Sequence, residues 1–207
     1  MILTVGHTKG GAGKSTLAFN IAHYLQTQGH DVGLVDLDFQ QTLYYVNEIR
    51  GASMEKLPML FAHNVSMLLN IFKKHTGILV VDVGGFDSDI NRTAIAHADE
   101  LIVPITNSIT EVVGFKMFEK ILDEMETDNG KRDMTVVLNR IHPLTKDFTV
   151  VKKAIGKKAH ITLLDTVVRS RKVYIDSLGI GKSVFDVGHE KGMQEIKGVC
   201  DELRSFR

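Results

Sequence analysis

The chain has 207 residues, 43% of them hydrophobic, which suits one folded domain with a sizeable core and excludes intrinsic disorder. Lys plus Arg and Asp plus Glu both number 25, so the formal net charge of +0 excludes nothing by itself. Its distribution is uneven. Residues 1–130 carry 9 basic and 16 acidic side chains, whereas residues 131–191 carry 13 basic and 6 acidic, a polarity that suits one surface facing a polyanion.

In chain order, apolar β-branched runs predict strands over Ile2–Gly6, Val32–Leu37, Ile78–Val83, Leu101–Ile105, Thr135–Asn139 and Ile161–Leu164. Amphipathic stretches between them predict helices over Ser15–Gln28, Val65–His75, Ser88–His97, Glu111–Glu126 and Thr149–Lys157. A last helix carries Met193, Ile196, Cys200, Leu203 and Phe206 near helical spacing. Strands that read apolar almost throughout are those covered by helices on both faces. The expected fold is therefore α/β, a doubly wound, mostly parallel sheet with right-handed crossovers, spanning residues 1–207 as one domain.

The segment with the most chemical content is Thr8-Lys9-Gly10-Gly11-Ala12-Gly13-Lys14-Ser15-Thr16, which follows an apolar strand and opens an amphipathic helix. Glycines there let successive backbone N–H groups turn inward as a nest for anionic oxygens. The helix start adds its positive dipole end, Lys14 reaches the outer phosphates and Ser15 is placed to ligate Mg²⁺. A strict phosphate loop has glycine where this chain has Thr8, and the chain instead carries an extra lysine, Lys9, before the glycine pair.

With that lysine the loop resembles the deviant Walker family of ATPases. The resemblance implies ATP and Mg²⁺ as ligands and a dimer closed face to face over nucleotide, with Lys9 crossing to the partner's phosphates and Lys14 acting in its own subunit. Two further segments are similar to family elements. Val35-Asp36-Leu37-Asp38-Phe39-Gln40 resembles an Asp-x-Asp-Pro-Gln element with Phe39 in place of proline, which implies that Asp38 acts on the attacking water and Asp36 supports the magnesium site. Ile78-Leu79-Val80-Val81-Asp82-Val83-Gly84-Gly85 has the form of a Walker B strand, with Asp82 as a magnesium ligand.

Over nearly the whole chain the resemblance is strongest to the short ParF-like ParA partition ATPases. It implies slow ATP hydrolysis, a homodimer on ATP, binding to non-specific DNA, a centromere-binding adaptor, segregation or positioning of plasmid or chromosomal DNA, and a cytoplasmic, nucleoid-associated protein. No N-terminal helix-turn-helix extension is expected, since the phosphate-loop strand begins at residue 2. Arg169 and, from the same C-terminal region, Lys182 and Lys191 match family positions that bind DNA; Arg171 and Lys172 join them by proximity. Asn139 and Arg140 resemble the position where relatives contact the nucleotide base. Apart from any resemblance, the basic excess over residues 131–191 suits salt-dependent, sequence-independent phosphate contacts, although a solvated basic face on an ordinary enzyme would look the same.

Rival functions find less support. A MinD-type membrane-surface ATPase needs a basic amphipathic last helix, but Glu195, Asp201 and Glu202 offset Lys197, Arg204 and Arg207 there. A metabolic ATP-dependent enzyme on the same scaffold would need a substrate pocket that no motif marks. The single cysteine, Cys200, excludes an intrachain disulfide and a four-cysteine cluster within one chain, and the usual two cysteines per subunit of a nitrogenase-reductase-like protein are not present. No signal peptide is visible at the start, and no fully apolar run, Ile78–Val81 included, is long enough to span a bilayer.

Overall fold

The computed structural model of the chain describes residues 1–8, 10–85, 88–125, 132–156 and 158–203. In chain order the elements are β1 (Ile2–Val5), α1 (Lys14–Thr27), β2 (Val32–Asp36), α2 (Thr42–Gly51), β3 (Met59–Leu60), α3 (Val65–Lys74), β4 (Ile78–Asp82) and α4 (Asp89–Ala96). They continue as β5 (Glu100–Ile105), α5 (Ile109–Glu124), β6 (Met134–Ile141), α6 (Thr149–Ile155), β7 (Ile161–Arg169), α7 (Lys172–Leu178) and α8 (Glu190–Glu202). The strands form a seven-stranded sheet in the order β3-β2-β4-β1-β5-β6-β7, and every pairing is parallel. The expected doubly wound α/β architecture is the one observed.

Alternation along each strand explains why both faces are covered. Leu34, Val80, Ile102 and Val137 pack into one layer with Leu17, Phe19 and Ile21 of α1 and Ile196 and Val199 of α8. Their strand neighbours Val35, Leu79, Val81, Leu101, Val103, Val136 and Leu138 pack into the opposite layer, with Phe115 and Phe118 of α5. β1 lies between β4 and β5, so the chain reverses its direction of winding there and the crevice beyond the carboxyl end of β1 is the natural ligand position.

Helix starts are marked as sequence chemistry requires. Asn64, Ser88 and Ser108 cap α3, α4 and α5, each side chain accepting a hydrogen bond from a first-turn N–H. α1 is different. Its N-cap is Gly13 in the left-handed region at φ 84°, and its first turn holds no acidic residue, so its leading N–H groups face the loop before it.

Four elements differ from expectation. β3 is two residues long, and α2 and α7 carry no amphipathic pattern long enough to predict them. β7 runs on to Arg169 rather than ending at Leu164, although Asp165 and Thr166 interrupt its apolar run. Glu202 of α8 explains this, since its carboxylate accepts from the N–H groups of Asp165 and Thr166 at 2.7 and 2.9 Å. β7 is the edge strand, and an acidic side chain occupies backbone donors that would otherwise be open. The apolar stripe of α8 is core, not surface: Ile196, Cys200 and Leu203 are buried. Phe206, Arg204 and Arg207, like Lys157, Glu126 and Lys9, lie outside the described residues. Among the described residues no helix is long and apolar enough to cross a membrane.

Candidate nucleotide site

The loop between β1 and α1 is held from both sides. On one side, the backbone after β4 presses against it: a Cβ on Gly85 would fall 2.7 Å from the Thr8 carbonyl oxygen, so only glycine permits that approach. On the other, the Asn139 amide donates to the Ala12 carbonyl at 2.7 Å and the Arg140 guanidinium donates to the Gly11 carbonyl. Gly11 and Gly13 both take left-handed backbone, at φ 80° and 84°. This turns the chain so that the first helical bond, from the Leu17 N–H to the Gly13 carbonyl, forms at 3.0 Å. Lys14 is buried at the start of α1. Lys9, expected to act across a dimer, lies outside the described residues.

Two carboxylates stand beside this loop. Asp36 and Asp82 end β2 and β4 and are register partners across the parallel ladder. The Asp36 carboxylate organises the loop that follows it, accepting from the Asp38 N–H at 3.0 Å and the Tyr44 N–H at 3.2 Å. Burial raises its pKa against these bonds. Asp38 sits on that loop, accepts from the Gln40 N–H at 2.9 Å, and packs against Gly84, whose Cβ would meet the Asp38 Cα at 3.3 Å.

Asp82 is fully buried, and neither carboxylate oxygen has a well-formed hydrogen bond among the described residues. Burial pushes its pKa up to about 8, while the nearby Ser15 hydroxyl pulls it down; the Asp36 charge raises it and the Lys14 charge lowers it. A buried carboxylate with two open oxygens, set beside a serine hydroxyl and an ammonium, has the hard oxygen donors that a divalent cation takes. The residues present therefore fit Mg²⁺ at Ser15 and Asp82, with Asp36 behind them.

A cleft of about 930 Å³ opens over this site, lined by the loop glycines, Lys14, Ser15, Thr16, Asp36, Asp38, Gly84 and Gly85. Its rim holds Phe39, which is 96% exposed, together with Phe61 and His63 beyond β3. Phe61 and His63 escaped sequence reading because no periodic element leads to them. A second cavity of about 170 Å³ adjoins the first and is lined by Asn139, Arg140, Arg169, Arg171, Tyr174 and Ile175 among others.

A family profile for the CobQ/CobB/MinD/ParA nucleotide-binding domain matches residues 3–203. The chain belongs to that family. Among curated relatives of this CobQ/CobB/MinD/ParA member, the maintenance of carboxysome distribution protein A of Halothiobacillus neapolitanus is 26% identical over 207 residues, covering 97% of this chain and 95% of the relative. Among solved structures, apo McdA of Cyanothece superposes with a TM-score of 0.76 at 17% identity, covering 97% of this chain and 98% of the other. A putative plasmid partition protein of Borrelia burgdorferi B31 bound to AMPPNP gives 0.69 at 15% identity, with 97% and 98% covered.

The expected DNA-binding residues fall on different elements. Arg169 ends β7, Lys172 opens α7, Lys182 lies in the loop after α7, and Lys191 sits in the first turn of α8. The Arg169 guanidinium donates to the His142 and Thr145 carbonyls, and Arg171 pairs with Glu195 at 2.6 Å. Lys172 and Lys191 are exposed.

Proposed function

We propose that this family member is a Mg²⁺-dependent ATPase of the ParA partition type that dimerises on ATP, binds DNA without sequence preference while ATP is held, and releases it on hydrolysis. The observation that carries this reading is the convergence of Lys14, Ser15, Asp36 and Asp38 on one cleft beside an uncapped helix start, with the buried Asp82 carboxylate next to Ser15 behind it. In it the backbone N–H groups of residues 10–16 and Lys14 bind the phosphates. Ser15 and Asp82 hold Mg²⁺, and Asp36 fixes the loop that carries Asp38. Bound Mg²⁺ supplies charge neutralisation on the transferred phosphoryl group. Asp38 orients the attacking water and accepts its proton.

Lys9 crosses to the partner subunit, and the homodimer joins two basic faces so that DNA avidity rises without new contacts. Arg169, Arg171, Lys172, Lys182 and Lys191 supply phosphate contacts, and an adaptor on the cargo stimulates turnover. The similarity to a carboxysome distribution protein favours a second cargo class, a protein assembly, moved by the same cycle.

The test is binding to an arbitrary DNA duplex with no nucleotide, ADP, ATP or a non-hydrolysable analogue across a salt series. The reading expects a salt-sensitive complex with ATP and its analogue and none with ADP. Equal binding in all four states, or none in any, would reject the switch.

A further inference from the structure

Arg140 has a backbone conformation that its residue type disfavours. Its φ is +56°, in the left-handed region, which costs a non-glycine residue free energy and persists only where the surroundings enforce it. The cause lies in the sheet. Between the register pairs Leu138 with Val167 and Ile141 with Arg169, β6 has one more residue than β7, so Asn139 and Arg140 occupy a bulge. Bulges re-aim side chains, and here both point back at the phosphate loop. Asn139 donates to the Ala12 carbonyl and Arg140 to the Gly11 carbonyl, two consecutive peptide units of one turn.

Contact continues beyond these bonds. A Cβ on Gly13 would lie 2.6 Å from the Asn139 amide nitrogen and 3.4 Å from the Arg140 Cδ, so the two side chains fill the space behind the loop. Arg140 and Gly13 also line both cavities. Drawing two successive carbonyls backward onto a guanidinium and an amide turns the opposite edges of those peptides, their N–H groups, toward the cleft.

We infer that the β6 bulge is a clamp: Asn139 and Arg140 are positioning residues that hold the Gly11 and Ala12 carbonyls so that the loop presents its N–H groups to phosphate. This rests on the nucleotide reading of the site, and differs from a base-contacting role for the same two residues. The clamp acts on the polyphosphate whatever base is attached, whereas a base contact has no effect on a ligand without a base.

The experiment is competition of Mg²⁺–tripolyphosphate and of Mg²⁺–ATP against a fluorescent ATP analogue on the full chain, comparing wild type, Arg140→Gly and Asn139→Ala. Glycine adopts the left-handed conformation without strain, so Arg140→Gly removes the guanidinium while keeping the bulge, and thermal unfolding checks that the fold is retained. The clamp predicts that each variant loses affinity for tripolyphosphate and for ATP by the same factor, about tenfold for Arg140→Gly, which removes a charge-assisted bond, and about threefold to fivefold for Asn139→Ala, which removes a neutral one. Arg140→Lys, which keeps a cationic donor, should recover part of the Arg140→Gly loss. Loss of ATP affinity with tripolyphosphate affinity unchanged would overturn the clamp in favour of a base contact, and so would unchanged affinity for both. Failure of the wild type itself to bind either ligand would overturn the nucleotide reading and the clamp with it.

Discussion

Asp36 and Asp82 are direct register partners at the carboxyl ends of β2 and β4, one with both oxygens occupied by backbone N–H groups and the other with neither oxygen in a well-formed hydrogen bond among the described residues. The contrast divides their labour. Asp36 is committed to shaping the loop that carries Asp38, whereas Asp82 is left as a buried, open carboxylate facing the start of α1.

That arrangement has a cost in the ligand-free protein. An acid whose folded pKa is about 8 binds a proton that the unfolded chain, at 3.8, has already lost. Stability from this group is therefore full below about pH 4 and declines as pH rises toward 8. Asp82→Asn should raise the unfolding free energy at pH 8 by on the order of 5 kcal/mol, with the gain vanishing near pH 4. Denaturant titrations of both proteins at the two pH values check this. The same variant should lose Mg²⁺-dependent nucleotide retention.

Asp38 is on a loop, partly exposed, and among the described residues its side chain accepts a hydrogen bond from the Gln40 N–H. Asp38→Ala should leave the fold and Mg²⁺–ATP affinity within about twofold while lowering turnover by roughly 10²–10⁴. Steady-state phosphate release alongside equilibrium binding separates the two effects, and undiminished turnover would remove Asp38 from its role.

The proposed DNA residues divide by their packing. Lys172 and Lys191 are exposed, so replacing each with Ala should lower the dependence of DNA affinity on salt by about one ion without moving the unfolding midpoint. Arg169→Ala should weaken DNA binding and also cost about 1 kcal/mol of stability, because the His142 and Thr145 carbonyls lose their donor. An unchanged salt slope in the Lys172→Ala, Lys191→Ala double variant would place the DNA face elsewhere.

Much of the site is readable locally, and the rest is not. Lys14, Ser15 and Asp82 announce themselves because a glycine-rich turn between strand and helix, and an aspartate ending an apolar strand, are patterns within a few residues. β3 is two residues long and was invisible to periodicity. The extension of β7 depends on Glu202, 36 or 37 positions away, which supplies acceptors for Asp165 and Thr166. The clamp is hidden for the same reason: Arg140 turns back where β6 has one residue more than β7 between their last two register pairs, a property of pairing rather than of either strand. The basic residues look like a group in sequence, yet Arg171 is neutralised by Glu195 once α8 packs on β7.

A second joint far along the chain makes stability pH-dependent in a different window. His23 of α1 meets the Ser183 hydroxyl at 2.6 Å and Arg50 of α2 at 3.2 Å, and Arg50 pairs with Asp186 at 2.7 Å. Loss of hydration lowers the His23 pKa; Asp186 opposes the shift and Arg50 adds to it. The unfolded chain then takes up a proton near pH 6.5 that the folded one refuses, so stability falls as pH drops from about 6.5 toward the lowered value. Burial raises the Asp186 pKa, but bonds from Arg50 and the Ser183 N–H outweigh it, and its loss of stability comes below the ordinary carboxylate range. His23→Gln should flatten the change in urea midpoint between pH 7.5 and pH 5.5.

Arg50 and Asp186 side chains are each 6% exposed, so Arg50→Ala takes the guanidinium from a buried carboxylate that keeps the Ser183 N–H. The expected loss is about 3–5 kcal/mol, with part recovered in the Arg50→Ala, Asp186→Ala double variant. Urea unfolding of the single and double variants checks it; a fully additive pair would mean the two groups do not act as a unit.

Calorimetric titration of Mg²⁺–ATP into the wild type and Lys14→Ala most directly tests the central claim, that the loop before α1 is a nucleotide site. The account predicts saturable binding at one site per chain in the wild type and none measurable in Lys14→Ala, with both proteins folded by circular dichroism. Wild-type protein that takes up no nucleotide, or a folded Lys14→Ala variant that binds as tightly as the wild type, would contradict it.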